Sequence, residues 1–339
     1  MLRVAAFTGG VAVPSARFRV RQYIPTLLQH GVAVKEMYSR FGKYPPQNRW
    51  IRPLWAGATL AEQIPNIIKS HRFDAVLLQR EMLSTFATLE PLTKTPRVLD
   101  VDDAIFLRRN GDFARRLAQI SDRVICGNTY LADWFSVWNK DIFIIPTAVD
   151  TDRYVPAFKR NNCEDAMVIG WIGISENLKY VYAIEGALAK VMELHEKAKL
   201  RIVCNKAPEF HLIDVRRCEF IRWSEAVEIE SIQGMDIGIM PLENTAWARG
   251  KCSLKMLQYM ACGLPVVASP VGMNADVLSM GNVGIAVLCE AEWVDAIVSL
   301  LVDPALRQKM GTYGRQVVME SFSVTRVAPQ IAACLSGVS

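Results

Sequence analysis

The stretch Ala248–Gly272, ARGKCSLKMLQYMACGLPVVASPVG, passes from a small basic loop into an apolar helix, then into a buried strand and a second glycine loop. From Ser253, which reads as an N-cap, Leu254, Leu257 and Ala261 recur at helical spacing and form one apolar face. Gly263 suits the left-handed position just past a helix, and Pro265 cannot continue one. PVVAS then has the length and β-branched content of a buried strand. Lys251 and the N–H groups of residues 251–254 lie at the positive end of the helix, where a phosphate is the usual guest. An ordinary helix-to-strand unit with a surface lysine would read the same way. The polar side chain of Gln258, set among Leu257, Tyr259 and Met260, is the feature such a unit does not need.

Outward from this stretch, short Val/Ile/Leu runs alternate with helical patterns. VAAF (Val4–Phe7), AVLLQ (Ala75–Gln79), RVLDV (Arg97–Val101), RVIC (Arg123–Cys126) and IFIIP (Ile142–Pro146) form a first set. An Arg-rich helix is expected from about Arg17 to His30, ending at Gly31. FKRNNCEDA (Phe158–Ala166) breaks the rhythm and reads as a linker. MVIGWIG (Met167–Gly173), LRIVC (Leu200–Cys204), DIGIMP (Asp236–Pro241), PVVAS and GIAVL (Gly284–Leu288) form a second set. Such runs between helices mark parallel sheets covered on both faces. The pattern predicts an α/β chain of two Rossmann-like domains, residues 1–157 and 158–320, with a ligand held in a cleft where the two face one another. Residues 304–337 read as two helices broken near Gly314 or Ser321–Ser323. The last segment, 321–339, could pack on either half.

Length and composition fit this plan. The chain has 339 residues, 51% of them hydrophobic, and a net charge of +5. No apolar run reaches the roughly 20 residues of a membrane span, and the N-terminal run stops at Thr8-Gly9-Gly10 without a cleavage signal. The eight cysteines form no Cys-x-x-Cys pair, which argues against zinc and for a reducing, cytoplasmic setting. Up to residue 53 nine basic residues oppose Glu36 alone. Such a field suits a phosphate-bearing ligand or the anionic inner face of a membrane, or else is a solvated basic face.

GKCSLKMLQYMACGLPVVASPVG, with DIGIMPL upstream and LLVDPALRQKMGTYGRQVV downstream, resembles the donor half of a retaining glycosyltransferase of the GT-B fold, group 1 or family 4-like. GGVAVPSARFRVRQYIPTLLQHG resembles the N-terminal glycine loop and first helix of that family, and IIPTAVDTDRYVP its hinge approach. The resemblance implies transfer of a sugar from a nucleotide-diphosphate sugar, for instance a UDP sugar, to a saccharide, glycolipid or other cell-envelope acceptor. It implies retention of configuration, no metal and no further cofactor.

The family's Glu-x7-Glu element falls on Gly250 and Gln258, so both carboxylates are missing. Gln258 could still hydrogen-bond a ribose, and the Gly250 backbone could approach the donor closely. The loop in which the family carries a diphosphate-binding lysine reads GWIGISENLKY, with Glu176 at that place. Lys251 and Lys255 are the substitutes, beside Gly173, Cys252 and Ser253. Asp102 and Asp103 stand where the family shows a His-Asp pair; they could bind an acceptor hydroxyl or take its proton, or be a helix cap and a turn carboxylate. Gly9, Gly10, Arg17 and Arg19 are candidates for phosphate or acceptor binding, with a tight turn as the plain alternative for the glycines. Trp223 could lie against a nucleobase or simply pack.

Residues 36–55 interleave Arg and Lys with Tyr38, Phe41, Tyr44, Trp50 and Trp55, a composition suited to peripheral membrane contact. No nucleic-acid module is present. A non-catalytic GT-B subunit and a nucleotide-sugar epimerase are the competing readings. A nicotinamide dehydrogenase is disfavoured because no Gly-x-Gly-x-x-Gly follows the first strand.

Overall fold

The computed structural model describes residues 1–157 and 166–337, so nearly all of the expected linker, with Cys163, lies outside the described residues. The chain divides into two compact units. The first holds Met1–Ala148, Arg249–Cys252 and the C-terminal segment from Val324; the second holds Val149–Ala248 and Ser253–Ser323.

The first unit is built on six parallel strands: β1 (Leu2–Phe7), β2 (Val32–Met37), β3 (Ala75–Gln79), β4 (Arg97–Val101), β5 (Arg123–Cys126) and β6 (Ile142–Ile144), in the order β2-β1-β3-β4-β5-β6. β1, β3 and β4 are almost wholly buried, which is why they read as continuous apolar runs. β2 is an edge strand of mixed burial, and its VAVKEM, carrying Lys35 and Glu36, was not picked out from the sequence. The expected long helix from Arg17 is instead three short pieces, Pro14–Arg19, Arg21–Tyr23 and Ile24–Gln29. Pro25 is the reason: in a continuous helix its ring would clash with the Arg21 carbonyl and it has no N–H to donate there.

The second unit repeats the plan with β7 (Met167–Ile172), β8 (Ala198–Cys204), β9 (Cys218–Arg222), β10 (Ile237–Met240), β11 (Val266–Ala268) and β12 (Gly284–Ala286), in the order β12-β11-β10-β7-β8-β9. All ladders in both sheets are parallel. The strand order therefore reverses between β1 and β3 in one sheet and between β7 and β10 in the other. Open parallel sheets bind ligands at the strand ends beside such a reversal.

The helix Pro304–Ser321 runs straight through Gly314. Gly311 and Gly314 are not a break but a contact. A Cβ on Gly311 would sit 2.0 Å from the Gly263 carbonyl oxygen, and one on Gly314 would be 3.3 Å from Met260. The chain turns at Phe322–Ser323, the other of the two expected breaks. The last helix, Val324–Ser336, inserts Val327, Ile331 and Leu335 into the first unit's core beside Val4, Tyr23 and Leu27.

Candidate functional site

In the first unit, charge and backbone strain collect in the loops that follow β3 and β4. Arg80 comes directly after β3 and holds φ at 60°. Its guanidinium, 9% exposed, donates from Nε to Asp102 Oδ1 at 2.5 Å and from Nη2 to Asp103 Oδ2 at 2.6 Å. Thr85, Arg109 and Asn110 are also left-handed, and Arg109 Nε donates to Thr85 Oγ1 at 3.0 Å. Left-handed non-glycine residues cost about 1–3 kcal/mol each and persist where the surroundings over-determine them, commonly at functional sites. Beneath them Lys43 Nζ lies 3.3 Å from Glu81 Oε1, with both side chains almost fully buried. Burial pushes the Lys43 ammonium down, against the Glu81 charge that raises it.

The two aspartates are driven apart. Burial alone would lift Asp102, but the charge and hydrogen bond of Arg80, with Arg19 and Lys43 behind it, hold that carboxyl below its ordinary value. Asp103 is pushed up, first by burial and then by the neighbouring Asp102, while Arg80 and Lys251 oppose the rise. Both carboxylates accept from the arginine, and Asp102 is the one it holds in the charged form. The other, 26% exposed, is the better placed to exchange a proton near its surface.

The segment 249–252 is clamped to this edge. Asn128 Nδ2 donates to the carbonyls of Arg249 at 3.2 Å and Lys251 at 3.1 Å, and Cys252 Sγ donates to the Asp102 carbonyl at 3.2 Å. A Cβ on Gly250 would meet Ala104 Cβ at 2.6 Å and Ala104 N at 2.8 Å. No side chain fits there, which accounts for glycine at that place. Cys252 is buried, and burial raises its thiol far above the ordinary range, so it packs rather than reacts.

The remaining first-unit candidates are placed differently from expectation. Arg19 is spent internally: Nε and Nη2 bind the Asp100 carboxylate, and Nη1 reaches the Ile145 carbonyl at 3.0 Å and Thr147 Oγ1 at 3.2 Å. With its side chain 1% exposed, it presents no donor to a ligand. Arg17 is buried, with its guanidinium 4.7 Å from the Phe18 ring centroid. Gly9 and Gly10 form a buried turn. Gly10 needs its φ of +92° and has the Tyr38 ring 3.2 Å from where a Cβ would be, while Val13 crowds Gly9.

In the second unit the helix Leu254–Ala261 is buried on nearly every side. Ser253 occupies the N-cap position but in the left-handed region, and its hydroxyl donates to Asn274 Oδ1 at 2.7 Å instead of capping the helix. Tyr259 reaches under β7, where its hydroxyl accepts from Ile172 N at 2.8 Å, and its ring occupies the space above Gly238. Gln258 is fully buried. Its Nε2 contacts Tyr154 Oη at 2.7 Å and Glu228 Oε1 at 2.5 Å, and its Oε1 accepts from Lys255 Nζ at 3.0 Å. Lys255 is also 3.7 Å from Glu228. The Gln258 amide is therefore consumed inside the unit, not extended to a ribose. Gly173 is required because a Cβ would strike the Trp171 ring at 2.4 Å. Trp223 follows β9, half-buried, with its N–H on the Cys204 carbonyl. Ser175, Glu176, Lys206 and His211 line a polar pocket over the ends of β7 and β8.

Comparison with known proteins assigns most of the second unit to a family. Residues 166–303 match the family described as glycosyl transferases group 1. Over 92% of its length the chain is 24% identical to the D-inositol 3-phosphate glycosyltransferase of Corynebacterium jeikeium, covering 71% of that protein. The chain thus carries a group 1 glycosyltransferase domain over residues 166–303. Its fold is GT-B: sucrose-phosphate synthase from Thermosynechococcus elongatus superposes with a TM-score of 0.73 at 16% identity, covering 99% of each chain. Anabaena HepE in complex with UDP-glucose gives 0.70 at 14% identity, over 99% of this chain and all of that one. WaaG, a glycosyltransferase involved in lipopolysaccharide biosynthesis, gives 0.69 at 15%, over 98% and 100%.

The sequence therefore marked a glycosyltransferase, but not all of the residues its strand ends bring together. Arg80, Glu81, Lys43 and Asn128 in the first unit, and Glu228 in the second, were missed. Arg80 and Glu81 did carry a signal, since two charged residues end the apolar run AVLLQ where a ligand edge is expected. Glu228 carried none: within EAVEIESIQ it is one of three glutamates, and packing alone buries it.

Proposed function

We propose that this glycosyltransferase moves the glycosyl group of a nucleoside-diphosphate sugar, with retention and without a metal, onto a hydroxyl of a saccharide or glycolipid of the cell envelope, presented at a membrane surface. The observation that carries the acceptor part is the pair Asp102–Asp103 on the Arg80 fork. Asp103, pushed up and partly exposed, accepts a hydrogen bond from an attacking hydroxyl and takes its proton as the new bond forms. Asp102 stays ionised and fixes Arg80. Lys251, near enough to Asp103 to lower it, adds positive charge at the same edge. On the donor side, Lys255, 24% exposed and already paired with Gln258 and Glu228, would add a cation for the diphosphate beside the N–H groups at the start of the Leu254–Ala261 helix, and Gly173 and Trp223 line the strand ends where the nucleoside would rest. In this reading lysine and backbone N–H groups stabilise the leaving diphosphate.

A panel of UDP, GDP, ADP and CMP in thermal unfolding tests the donor part. A nucleotide at about 100 times its dissociation constant adds roughly 2.7 kcal/mol. Selective stabilisation by one nucleoside diphosphate, weakened in Lys255→Ala, is expected. The absence of Glu at both motif positions favours a second reading, a GT-B subunit that binds nucleotide without turnover. Slow donor hydrolysis that Asp103→Asn abolishes, with nucleotide binding intact, decides for the enzyme. Hydrolysis unaffected by Asp103→Asn removes Asp103 from the reaction.

A further inference from the structure

The helix Arg52–Ser70 is amphipathic the wrong way round. Its buried face carries Thr59, Gln63 and Ser70 beside Ile67, while Leu54 is 79% exposed, Ile64 50% and Ile68 64%. Leu54, Ala61, Ile64 and Ile68 follow helical spacing, so the outward face is a continuous apolar stripe. Just before the helix Trp50 is 80% exposed, with the Arg49 guanidinium 5.4 Å from its ring centroid. An apolar face of this kind on a soluble fold marks an interaction site.

Its surroundings say what covers it. From Met37 to Ala61 the chain has no acidic residue. Glu62, the one acid on the helix, is held by Arg40 at 2.7 Å and by the Ser39 hydroxyl. Among the described residues Arg49 and Arg52 have no carboxylate partner; Arg52 donates to the Pro46 and Gln47 carbonyls. Lys69 and Arg72 place positive charge at the other end. A second copy pairing antiparallel through this face would set Arg49 and Arg52 against Lys69 and Arg72, like charge on like. An apolar stripe with an exposed Trp and cations at both ends instead matches the boundary between anionic headgroups and acyl chains. No helix among the described residues is long and apolar enough to cross a membrane, so contact is by lying on the surface.

We propose that the outward face of Arg52–Ser70, with Trp50 and Arg49, docks the protein on an anionic lipid bilayer. The stripe enters the interface and Arg49, Arg52 and Lys69 meet the headgroup phosphates. This deepens the reading of a membrane-presented acceptor and rests on it for its biological use, although binding to lipid is measured without any acceptor.

The test is co-flotation of the full chain with vesicles of phosphatidylcholine alone and of phosphatidylcholine with phosphatidylglycerol. Binding to the anionic vesicles only, falling with salt, is expected. Arg49→Gln should weaken partitioning about fivefold, and Leu54→Ser and Ile68→Ser at least about tenfold each. These positions are exposed, and the fold of each variant is checked by its unfolding midpoint and by nucleotide stabilisation. Loss of flotation with nucleotide stabilisation unchanged supports the docking face. Failure of the wild type to float with anionic vesicles overturns it, as does equal binding to both vesicle types. A concentration-dependent dimer that Leu54→Ser dissolves, without vesicle binding, also overturns it and assigns the face to a second copy. Nucleotide stabilisation absent from the wild type, with flotation intact, counts against the donor reading and leaves the docking face standing.

Discussion

Replacing Gly127 by alanine would place a Cβ 2.2 Å from Cys252 Sγ, while replacing Gly250 would place one 2.8 Å from Ala104 N and 2.6 Å from Ala104 Cβ. The same clamp is overfilled in both variants, but by different neighbours, and a pair of double mutants separates them. Neither glycine has a left-handed φ, so the cost is steric. Overpacking of this kind costs about 1–3 kcal/mol, which for a unit of this size lowers the midpoint by roughly 2–4 °C per kcal/mol. Cys252→Ala removes the atom that Gly127→Ala strikes, so the double variant should regain most of the loss. Ala104→Gly removes only the Cβ; the Ala104 backbone nitrogen stays, and a backbone cannot yield as a side-chain end does. Gly250→Ala with Ala104→Gly should therefore remain clearly destabilised. Urea unfolding of the four single and two double variants gives both coupling energies. Full recovery of the Gly250→Ala loss by Ala104→Gly would refute the reasoning, because the clamp would then not be set by the backbone.

Opposite signs are expected at the aspartates. Asp102 has its folded pKa depressed, so its stabilising contribution is complete above the unfolded value of about 3.9 and is lost as pH falls through the lower folded value. Asp102→Asn should cost about 1–3 kcal/mol at neutral pH and flatten the acid limb of the stability curve. Asp103 is raised, so its charged form opposes folding above its folded pKa, and Asp103→Asn should raise the neutral midpoint. Gln258→Glu would set a second carboxyl against Glu228, now 2.5 Å from Nε2; the new group's folded pKa is raised, so stability is lost at neutral pH and regained on acidification, as a pH series of melts would record. Gly31→Ala meets no atom within 4 Å but must adopt φ +78°, and the backbone alone should cost about 1–2 kcal/mol in a denaturation midpoint.

What the sequence disclosed follows from which forces are local. Buried parallel strands are mostly apolar, so VAAF, AVLLQ, RVLDV and MVIGWIG were plain, whereas the half-buried edge strand VAVKEM is broken by Lys35 and Glu36 and escaped notice. Gly263 and Pro265 marked a helix end because φ and a missing N–H are properties of single residues; the structure has φ +73° at Gly263. Gly314 misled for the same reason. A glycine can relieve a backbone or admit a neighbour, and only packing tells which. Arginines near the first glycine loop were visible as charge, but whether a guanidinium meets water or Asp100 depends on a strand that begins at Arg97, far along the chain.

The motif positions Gly250 and Gln258 carry this argument furthest. Along the sequence, two carboxylates are missing. In space, each position has one at hand from another element. Beside Gly250, whose absent side chain would run into Ala104, the neighbouring residue Asp103 supplies a raised, partly exposed carboxyl with Lys251 close enough to act on it. Beside Gln258, Glu228 from the Glu225–Gln233 helix lies at hydrogen-bond distance and Lys255 approaches both. The two substitutes differ in kind. Glu228 is fully buried with its charge met by Lys255 and Gln258, an arrangement that fixes a helix and whose breaking leaves an unpaired charge. Asp103 is at a strand end, beside strained loops and a proton-lifting neighbour, an arrangement that packing does not require. In the proposed reaction the carboxylate that acts is therefore one in the first unit, on a residue more than a hundred positions upstream of the motif itself.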